Sequence, residues 1–453
     1  MNAKRKSMDM LHGTLWDKIL LFALPVAATA VLEQLFNASD IAVVGNFAKI
    51  KATESVAAIG AISPVIGLIL NLFIGISLGT NVIIATALGK GDKTTVSKAV
   101  HTSIVTALLA GILVATIGEV SISQILKWMM IPSDVYPLTL LYMRVYFLGL
   151  PMILLYNFEA SIFRSIGKTN IPLLALAGSG ILNVILNLFF VIKLHMSVNG
   201  VAVATVLSNI MSATLLFYLL CNTDLDIKIS PKNLKINFSI LKNILKIGLP
   251  AGIQSAVFAF ANIVIQSAIN SLGTVVMAAS SAAYNIEIIA YYVMNSFSQA
   301  CTTFIGHNYG AGNLKRCKKV LMLSLIEGII ALAISIIIIL TFGKQLISLF
   351  NNKPDVIAIG YIRLIIIMVG YTFSLIYEIL SGYLRGFGIS LIPAILTMIG
   401  VCGIRIGWIQ FVFPYHRTFQ MIMAAYPLSL STTAILILLA VIHYHPSKLF
   451  NKI

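Results

Sequence analysis

Long apolar runs alternate with short polar or glycine-containing breaks along nearly the whole chain of 453 residues. A helix of about 20 apolar residues crosses the hydrocarbon core of a bilayer, so runs of that length predict membrane-spanning helices. Several runs are longer, which indicates tilt or extension beyond the core. The pattern predicts twelve spans, at residues 18–46, 57–88, 99–126, 136–164, 170–194, 198–222, 242–272, 274–307, 318–350, 356–386, 390–415 and 418–443.

Composition supports the same interpretation. The chain is 59% hydrophobic and 10% charged, which excludes an ordinary soluble domain and indicates an all-α, multi-pass membrane protein. The four cysteines have neither the paired spacing of a disulfide framework nor that of a zinc site. No cluster of His, Asp or Cys suggests a membrane-bound transferase, so we expect a protein that is not an enzyme and needs no cofactor.

The net charge of +16 is explained by the position of the basic residues. A cytoplasmic N-terminus places most of the 31 Lys and Arg residues on the cytoplasmic side, as the positive-inside rule requires. An even number of spans then places both termini in the cytoplasm. The charge therefore gives no reason to expect a nucleic-acid partner; the lipid bilayer is the expected surrounding.

The two halves of the chain repeat each other. KILLFALPVAATA, from Lys18, resembles NILKIGLPAGIQS, from Asn243, and FRSIGKTNIP resembles LRGFGISLIP at a similar offset. Because each half has six spans, the repeats are parallel and predict two six-helix lobes, an arrangement typical of transporters that alternate access between them. We predict an N-terminal lobe at 1–222, a cytoplasmic linker at 223–241 and a C-terminal lobe at 242–453.

The first span carries Glu33, Asn37 and Asp40 at i, i+4 and i+7, and therefore on one helical face. An acidic residue within a span is costly and normally faces the interior of a helix bundle, a water-filled cavity or a partner. This face is therefore a candidate functional surface. The alternative is a structural polar contact or a water-exposed helix end.

Asp40 lies past the middle of its span, about 10 Å toward the outer face by helical rise. Asn183 and Asn187, spaced i and i+4 in LNVILN of span five, lie at a similar depth, so contact is expected. Carboxamides can bond both the protonated and the ionised form of a carboxyl group, as proton-coupled transport requires. Thr205 and Tyr142 are candidates for the same network, while the alternative for the asparagines is interhelical bonding.

Glu33 and Glu287 lie near mid-depth, where a cationic substrate would need a counter-charge. Near Glu287, Tyr291 and Met294 predict an amphipathic pocket lining, with ordinary packing as the alternative. Glu378 either contacts the substrate or pairs with a nearby arginine, Arg385 or Arg405. The predicted substrate contacts are Glu33, Asn37, Glu287, Tyr291, Met294 and Glu378.

Several motifs together resemble the multidrug and toxic compound extrusion (MATE) family. They are the LPV to N-x-x-D element between Pro25 and Asp40, the GKGD turn, the FRSIG and LRGFG segments and LNVILN, in the family's order over nearly the whole chain. The resemblance is greatest to the DinF-like prokaryotic branch. It implies the MATE fold of the MOP superfamily and export of amphipathic cations or toxic metabolites in exchange for inward H+ or Na+.

The resemblance also implies roles for individual residues. Asp40 matches the coupling aspartate, Asn183 and Thr205 match polar residues beside it, Tyr142 matches a span-four tyrosine, and Pro25 matches a proline where the first helix bends. Asn187 stands where many relatives have a second aspartate, which leaves the coupling ion and stoichiometry open.

We expect a monomer in a bacterial cell membrane. A lipid-linked oligosaccharide flippase of the same superfamily is the alternative, although it would be expected to have basic residues in its cleft. No ATP-binding signature is present, so an ion gradient is the expected energy source.

Overall fold

The computed structural model describes residues 7–48 and 52–444, and within them the chain forms twelve long helices. Each coincides with one predicted span, which confirms the all-helical, multi-pass fold. The helices are α1 (Trp16–Phe47), α2 (Ala52–Lys90), α3 (Lys93–Trp128), α4 (Tyr136–Ser165), α5 (Asn170–Lys193), α6 (Val198–Cys221), α7 (Phe238–Asn270), α8 (Thr274–Gly310), α9 (Leu314–Ser348), α10 (Pro354–Gly386), α11 (Leu391–Tyr415) and α12 (Phe419–His443).

Eleven of these helices, counted in the described part of the chain, are long and apolar enough to cross a membrane by length and composition alone. The remaining one is α8, which has 37 residues and is long enough to cross. Its sequence includes Asn285, Glu287, Asn295 and Gln299, so it is more polar than the others. Polar side chains within a span must find partners in the protein, which makes α8 a place to look for buried interactions.

Helix α3 begins at Lys93, well before the predicted start at residue 99. Asp92 caps it, because its carboxylate accepts hydrogen bonds from the Thr95 amide at 3.0 Å and the Thr95 hydroxyl at 2.6 Å. These bonds hold the pKa of Asp92 below its usual range. The predicted start lies too far along the chain because only apolar residues were counted, whereas the turn capped by Asp92 extends the helix into a polar region.

The chain forms two compact units. The first contains Ala28–Leu88 and Asp92–Leu245, and the second contains Asp9–Ala27, Gly89–Gly91 and the chain from Lys246 onward. In the first unit α4 packs against α3 and α6, and its core includes Phe147, Leu150 and Phe158. In the second unit α10 packs against α8, α9 and α12.

An interhelical hydrogen bond recurs at equivalent positions of the two repeats. In the first unit the Asn81 side-chain amide donates to the Ser161 carbonyl at 3.4 Å, which joins α2 to α4. In the second unit the Thr302 hydroxyl donates to the Gly382 carbonyl at 3.0 Å, which joins α8 to α10. Asn81 corresponds to Thr302, and Ser161 to Gly382, at the offset seen in the sequence repeat. The repeat therefore preserves the contact although the residue types differ.

Close approach of α3 and α4 requires glycine at position 111. A Cβ atom there would lie 2.4 Å from the Pro151 Cα atom, which is backbone and cannot rotate away. We expect Gly111→Ala to lower the free energy of unfolding by about 1–3 kcal/mol, as overpacking does. Thermal unfolding of the purified protein, monitored by size-exclusion chromatography, measures this loss.

Gly67→Ala is the matched control, because no heavy atom lies within 4 Å of a Cβ atom at position 67. Alanine is also the better helix former, so this variant should unfold at the wild-type temperature or slightly above it. Equal melting temperatures for the two variants would contradict the close contact at Gly111.

Candidate functional site

The polar face of α1 divides according to burial. Asp40 is buried, with 6% of its surface exposed, whereas Glu33 is half-buried and Asn37 is exposed. Pro25, fifteen residues earlier, lies inside α1, which stays helical from Trp16 to Phe47. Of the three polar residues on this face, Asp40 is thus the one that the protein encloses.

Two side chains from other helices bond the Asp40 carboxyl group. The Asn187 amide, from α5, donates to Oδ1 at 2.6 Å, and the Thr205 hydroxyl, from α6, donates to Oδ2 at 3.1 Å. Asn187 is fully buried. Each carboxyl oxygen therefore has a hydrogen-bond donor of its own, and neither donor carries a charge.

Asn183 supports both donors. Its side-chain oxygen accepts a second hydrogen bond from the Asn187 amide at 3.1 Å, and its own amide donates to the Thr205 hydroxyl oxygen at 3.4 Å. The structure thus brings together Asp40, Asn183, Asn187 and Thr205, whose equal depth led us to expect contact. Their role in ion coupling stays a prediction.

Tyr142 belongs to the surroundings of the same site. It is buried, lies close enough to Asp40 for electrostatic interaction, and stacks on Tyr146 with the ring centroids 6.2 Å apart. Tyr146 was not among the predicted site residues, although its spacing of four residues from Tyr142 places the two rings on one face of α4. That spacing is the signal that could have found it.

The acidic residue of α8 is paired with an arginine. Glu287 is buried and accepts two hydrogen bonds from Arg363 of α10, at 2.9 Å from Nε and 2.5 Å from Nη2. Ser280 accepts a further bond from Nη1 at 2.7 Å. In this arrangement the Glu287 charge is balanced within the protein, and its predicted contact with a cationic substrate stays untested.

The remaining predicted substrate residues lie in the second unit. Glu378 is buried and lies 3.5 Å from the Arg385 guanidinium, one of the two pairings that the sequence left open. Tyr291 is half-buried between Tyr292 and Tyr371, with ring centroids 6.2 and 6.5 Å away. Met294 is fully buried, as expected for a packing residue.

Arg405 is a second buried arginine, and the sequence offered no partner for it beyond Glu378. Its Nε donates to the Ser429 hydroxyl at 3.1 Å and its Nη1 to the side-chain oxygen of Asn262, Oδ1, at 3.3 Å. Its guanidinium carbon lies 4.1 Å from the centre of the Tyr426 ring, within the range of a cation–π interaction.

The family model MatE matches residues 25–189 and 250–409, once in each half of the chain. The chain belongs to the MATE family. The match covers most of the chain and both repeats, including the helix that carries Asp40.

Curated relatives and solved structures agree. The chain is 25% identical to the probable multidrug resistance protein YoeA of Bacillus subtilis, over 94% of this chain and 93% of that protein. It is 28% identical to YpnP, another probable multidrug resistance protein of Bacillus subtilis, over 88% and 89%. An outward-facing multidrug resistance MATE transporter of the MOP superfamily has the same fold, with a TM-score of 0.88, 22% identity and coverage of 97% and 98%.

The Arg363–Glu287 pair provides a stability prediction. Glu287→Gln removes the negative partner of a buried guanidinium, and breaking such a pair typically costs about 3–5 kcal/mol because the remaining charge is uncompensated. We expect a markedly lower melting temperature and lower yield of purified protein.

The double variant Glu287→Leu/Arg363→Met removes both charges and is the control. It should recover a large part of the lost stability, since no unpaired charge remains. If Glu287→Gln unfolds at the wild-type temperature, or if the double variant is less stable than the single one, the pair does not contribute in this way.

Proposed function

We propose that this MATE-family protein is a secondary active antiporter that exports amphipathic organic cations across a bacterial cell membrane in exchange for inward protons. The curated relatives YoeA and YpnP are named probable multidrug resistance proteins, which supports export of drugs. The proposal of proton coupling rests on one observation: the buried Asp40 carboxyl group is bonded by neutral side chains that can serve either of its charge states.

Thr205 has the geometry to serve both states. Its hydroxyl oxygen lies 3.1 Å from Asp40 Oδ2 and 2.9 Å from the Val201 carbonyl oxygen. With Asp40 ionised, the hydroxyl donates to Oδ2. With Asp40 protonated at Oδ2, the acid donates to the Thr205 oxygen and the hydroxyl hydrogen turns to Val201. No heavy atom has to move, and each hydrogen keeps an acceptor.

Protonation at Oδ1 would be less favourable. That oxygen faces the Asn187 amide, which would have to rotate to offer its own oxygen instead. The Asn187 side-chain oxygen is buried without a hydrogen-bond partner in the described part of the chain, so after rotation it could accept a hydrogen bond from a protonated Oδ1. Rotation would, however, break the bond between Asn187 and Asn183 at 3.1 Å. We therefore assign the proton to Oδ2.

Protonation neutralises Asp40, so the Asn187 hydrogen bond to Oδ1 is no longer strengthened by a charge. In the proposed cycle this weaker hold on α1 allows the helix to bend at Pro25 and the substrate to leave. Access then alternates between the two membrane faces by a rocking motion, as in other transporters built from repeats. Four side chains with oxygen atoms form the site, and Asp40 is the one acid among them. A single carboxylate favours a proton over a tightly held Na+.

The direct test uses everted membrane vesicles with a preset inside-acid pH gradient and no Na+. Addition of ethidium should release protons from wild-type vesicles, because each exported cation is exchanged for protons. Asp40→Asn should abolish this release, since a carboxamide cannot exchange a proton. Fluorescence of a pH-sensitive dye and uptake of ethidium report the two fluxes.

Asp92→Asn is the matched control, because it makes the same chemical change at an exposed helix cap that asparagine also serves. It should transport as the wild type does. Full gradient-driven export by Asp40→Asn at normal expression would refute the role of Asp40. Export that requires Na+ and ignores the pH gradient would refute proton coupling.

A pair of substitutions tests the adaptable hydroxyl. Thr205→Ser keeps the hydroxyl group and should transport within about twofold of wild type. Thr205→Val leaves a buried carboxyl group short of one partner, which costs about 1–3 kcal/mol, so we expect about tenfold slower ethidium-driven proton release. Equal rates for the valine and serine variants in the same vesicle assay would show that the hydroxyl is dispensable.

A further inference from the structure

The first unit contains a cavity of about 630 Å³ at the N-terminal end of α3. It lies between the first turns of α3 and residues 230–237, the last part of the connection from α6 to α7. Lys93, Lys98 and His101 line it from α3, and Asn233, Lys235 and Asn237 line it from the connecting segment. Two hydroxyl side chains and one isoleucine complete the lining.

Two buried side chains of α3 hold the connecting segment in place. His101 Nε2 accepts a hydrogen bond from the Ser230 amide at 3.1 Å, while its Nδ1 donates to the Ser97 carbonyl at 2.7 Å. The Thr102 hydroxyl accepts a bond from the Asn237 amide at 3.0 Å. His101 and Thr102 are at least nine-tenths buried. Both ends of the segment are therefore tied to α3, and the cavity is preformed.

The described lining is rich in hydrogen-bond donors and has no carboxylate. Two acidic residues lie nearby, and both have partners. Asp226 pairs with Lys93 at 3.0 Å, and Asp92 is bonded to the first turn of α3. Lys98, whose charge also acts on Asp92, and Lys235 contribute ammonium groups that can bind an anion. Lysine ammonium groups and side-chain amides are common ligands of phosphate.

The position of the cavity indicates the source of that phosphate. The topology expected from the basic residues places it at the cytoplasmic surface, where the leaflet carries anionic lipids. Ile236 contributes an apolar side chain to the lining, and Phe238, the first residue of α7, is 78% exposed. Apolar side chains beside a basic cavity suit a lipid better than a free phosphate.

We propose that this cavity binds the phosphate of an anionic lipid headgroup in the cytoplasmic leaflet. The lysines neutralise the phosphate charge, the asparagine amides donate hydrogen bonds to its oxygens, and Ile236 and Phe238 contact the adjoining glycerol and acyl region. This site is independent of the transport cycle proposed for Asp40.

Native mass spectrometry of the purified full-length protein, titrated with a short-chain phosphatidylglycerol, tests this site. A lysine in contact with an anionic lipid contributes about fivefold to its binding, so Lys98→Gln/Lys235→Gln should lower the affinity about thirtyfold. The same titration with phosphatidylcholine should give much weaker binding to the wild type. Size-exclusion profiles and melting temperatures establish that each variant is folded.

The matched control is Lys228→Gln/Lys242→Gln, which removes two exposed lysines from the same unit but outside the cavity lining. It should bind phosphatidylglycerol within about twofold of wild type. Equal losses of phosphatidylglycerol affinity in the two double variants would show that the lipid responds only to the overall surface charge. That result would overturn the proposed site. Equal binding of the two lipids would overturn it as well.

A competition with inorganic phosphate separates the two sources of phosphate. If the lipid occupies the cavity, millimolar phosphate should leave the bound lipid in place. Displacement of the lipid by phosphate, lost again in Lys98→Gln/Lys235→Gln, would assign the cavity to a soluble phosphate compound and refute the lipid assignment.

Discussion

Within the hydrocarbon core of a membrane, polar groups must be satisfied by the protein itself, because neither lipid nor bulk water replaces a missing partner. The surroundings of Asp40 follow from this constraint. Its carboxyl group lies on α1, and its hydrogen bonds come from Asn187 on α5 and Thr205 on α6. Three helices of the first unit are therefore held in register by one acidic side chain.

Asp40 has a different kind of partner from Glu287 and Glu378. In the second unit Glu287 and Glu378 lie against arginine guanidinium groups. A guanidinium partner carries a charge of its own that balances the acid. Asp40 instead has amide and hydroxyl partners, which carry no charge. This difference in partner chemistry is the reason that we propose Asp40, rather than Glu287 or Glu378, as the proton-binding residue.

The two repeats share an interhelical hydrogen bond at equivalent positions. The bond between α2 and α4 recurs between α8 and α10, although asparagine provides the donor in one unit and threonine in the other. Backbone carbonyl groups accept the bond in both cases, so the contact tolerates changes in side chain. The two units therefore share this interhelical contact although the side chains that make it differ.

Much of this organisation could be predicted from the sequence because it depends on local pattern. The length of each apolar run determined the helices, and helical spacing placed Asp40 on a polar face with Glu33 and Asn37. Equal depth was enough to predict contact of Asp40 with Asn183 and Asn187, since residues of similar depth lie at the same level of the bilayer whichever way their spans run. The start of α3 was missed because capping by Asp92 depends on polar residues that a hydropathy pattern leaves out.

Other features were decided only by the tertiary structure. The sequence by itself determined the membrane fold, the repeat, the family resemblance and the residue types of the Asp40 site. It could not show that Arg363 pairs with Glu287, that Thr205 also reaches the Val201 carbonyl, or that His101 and Thr102 fasten the segment after α6. Those contacts depend on the rotation and lateral spacing of packed helices, which are set by side-chain shape across the interface rather than by the periodicity of any one helix.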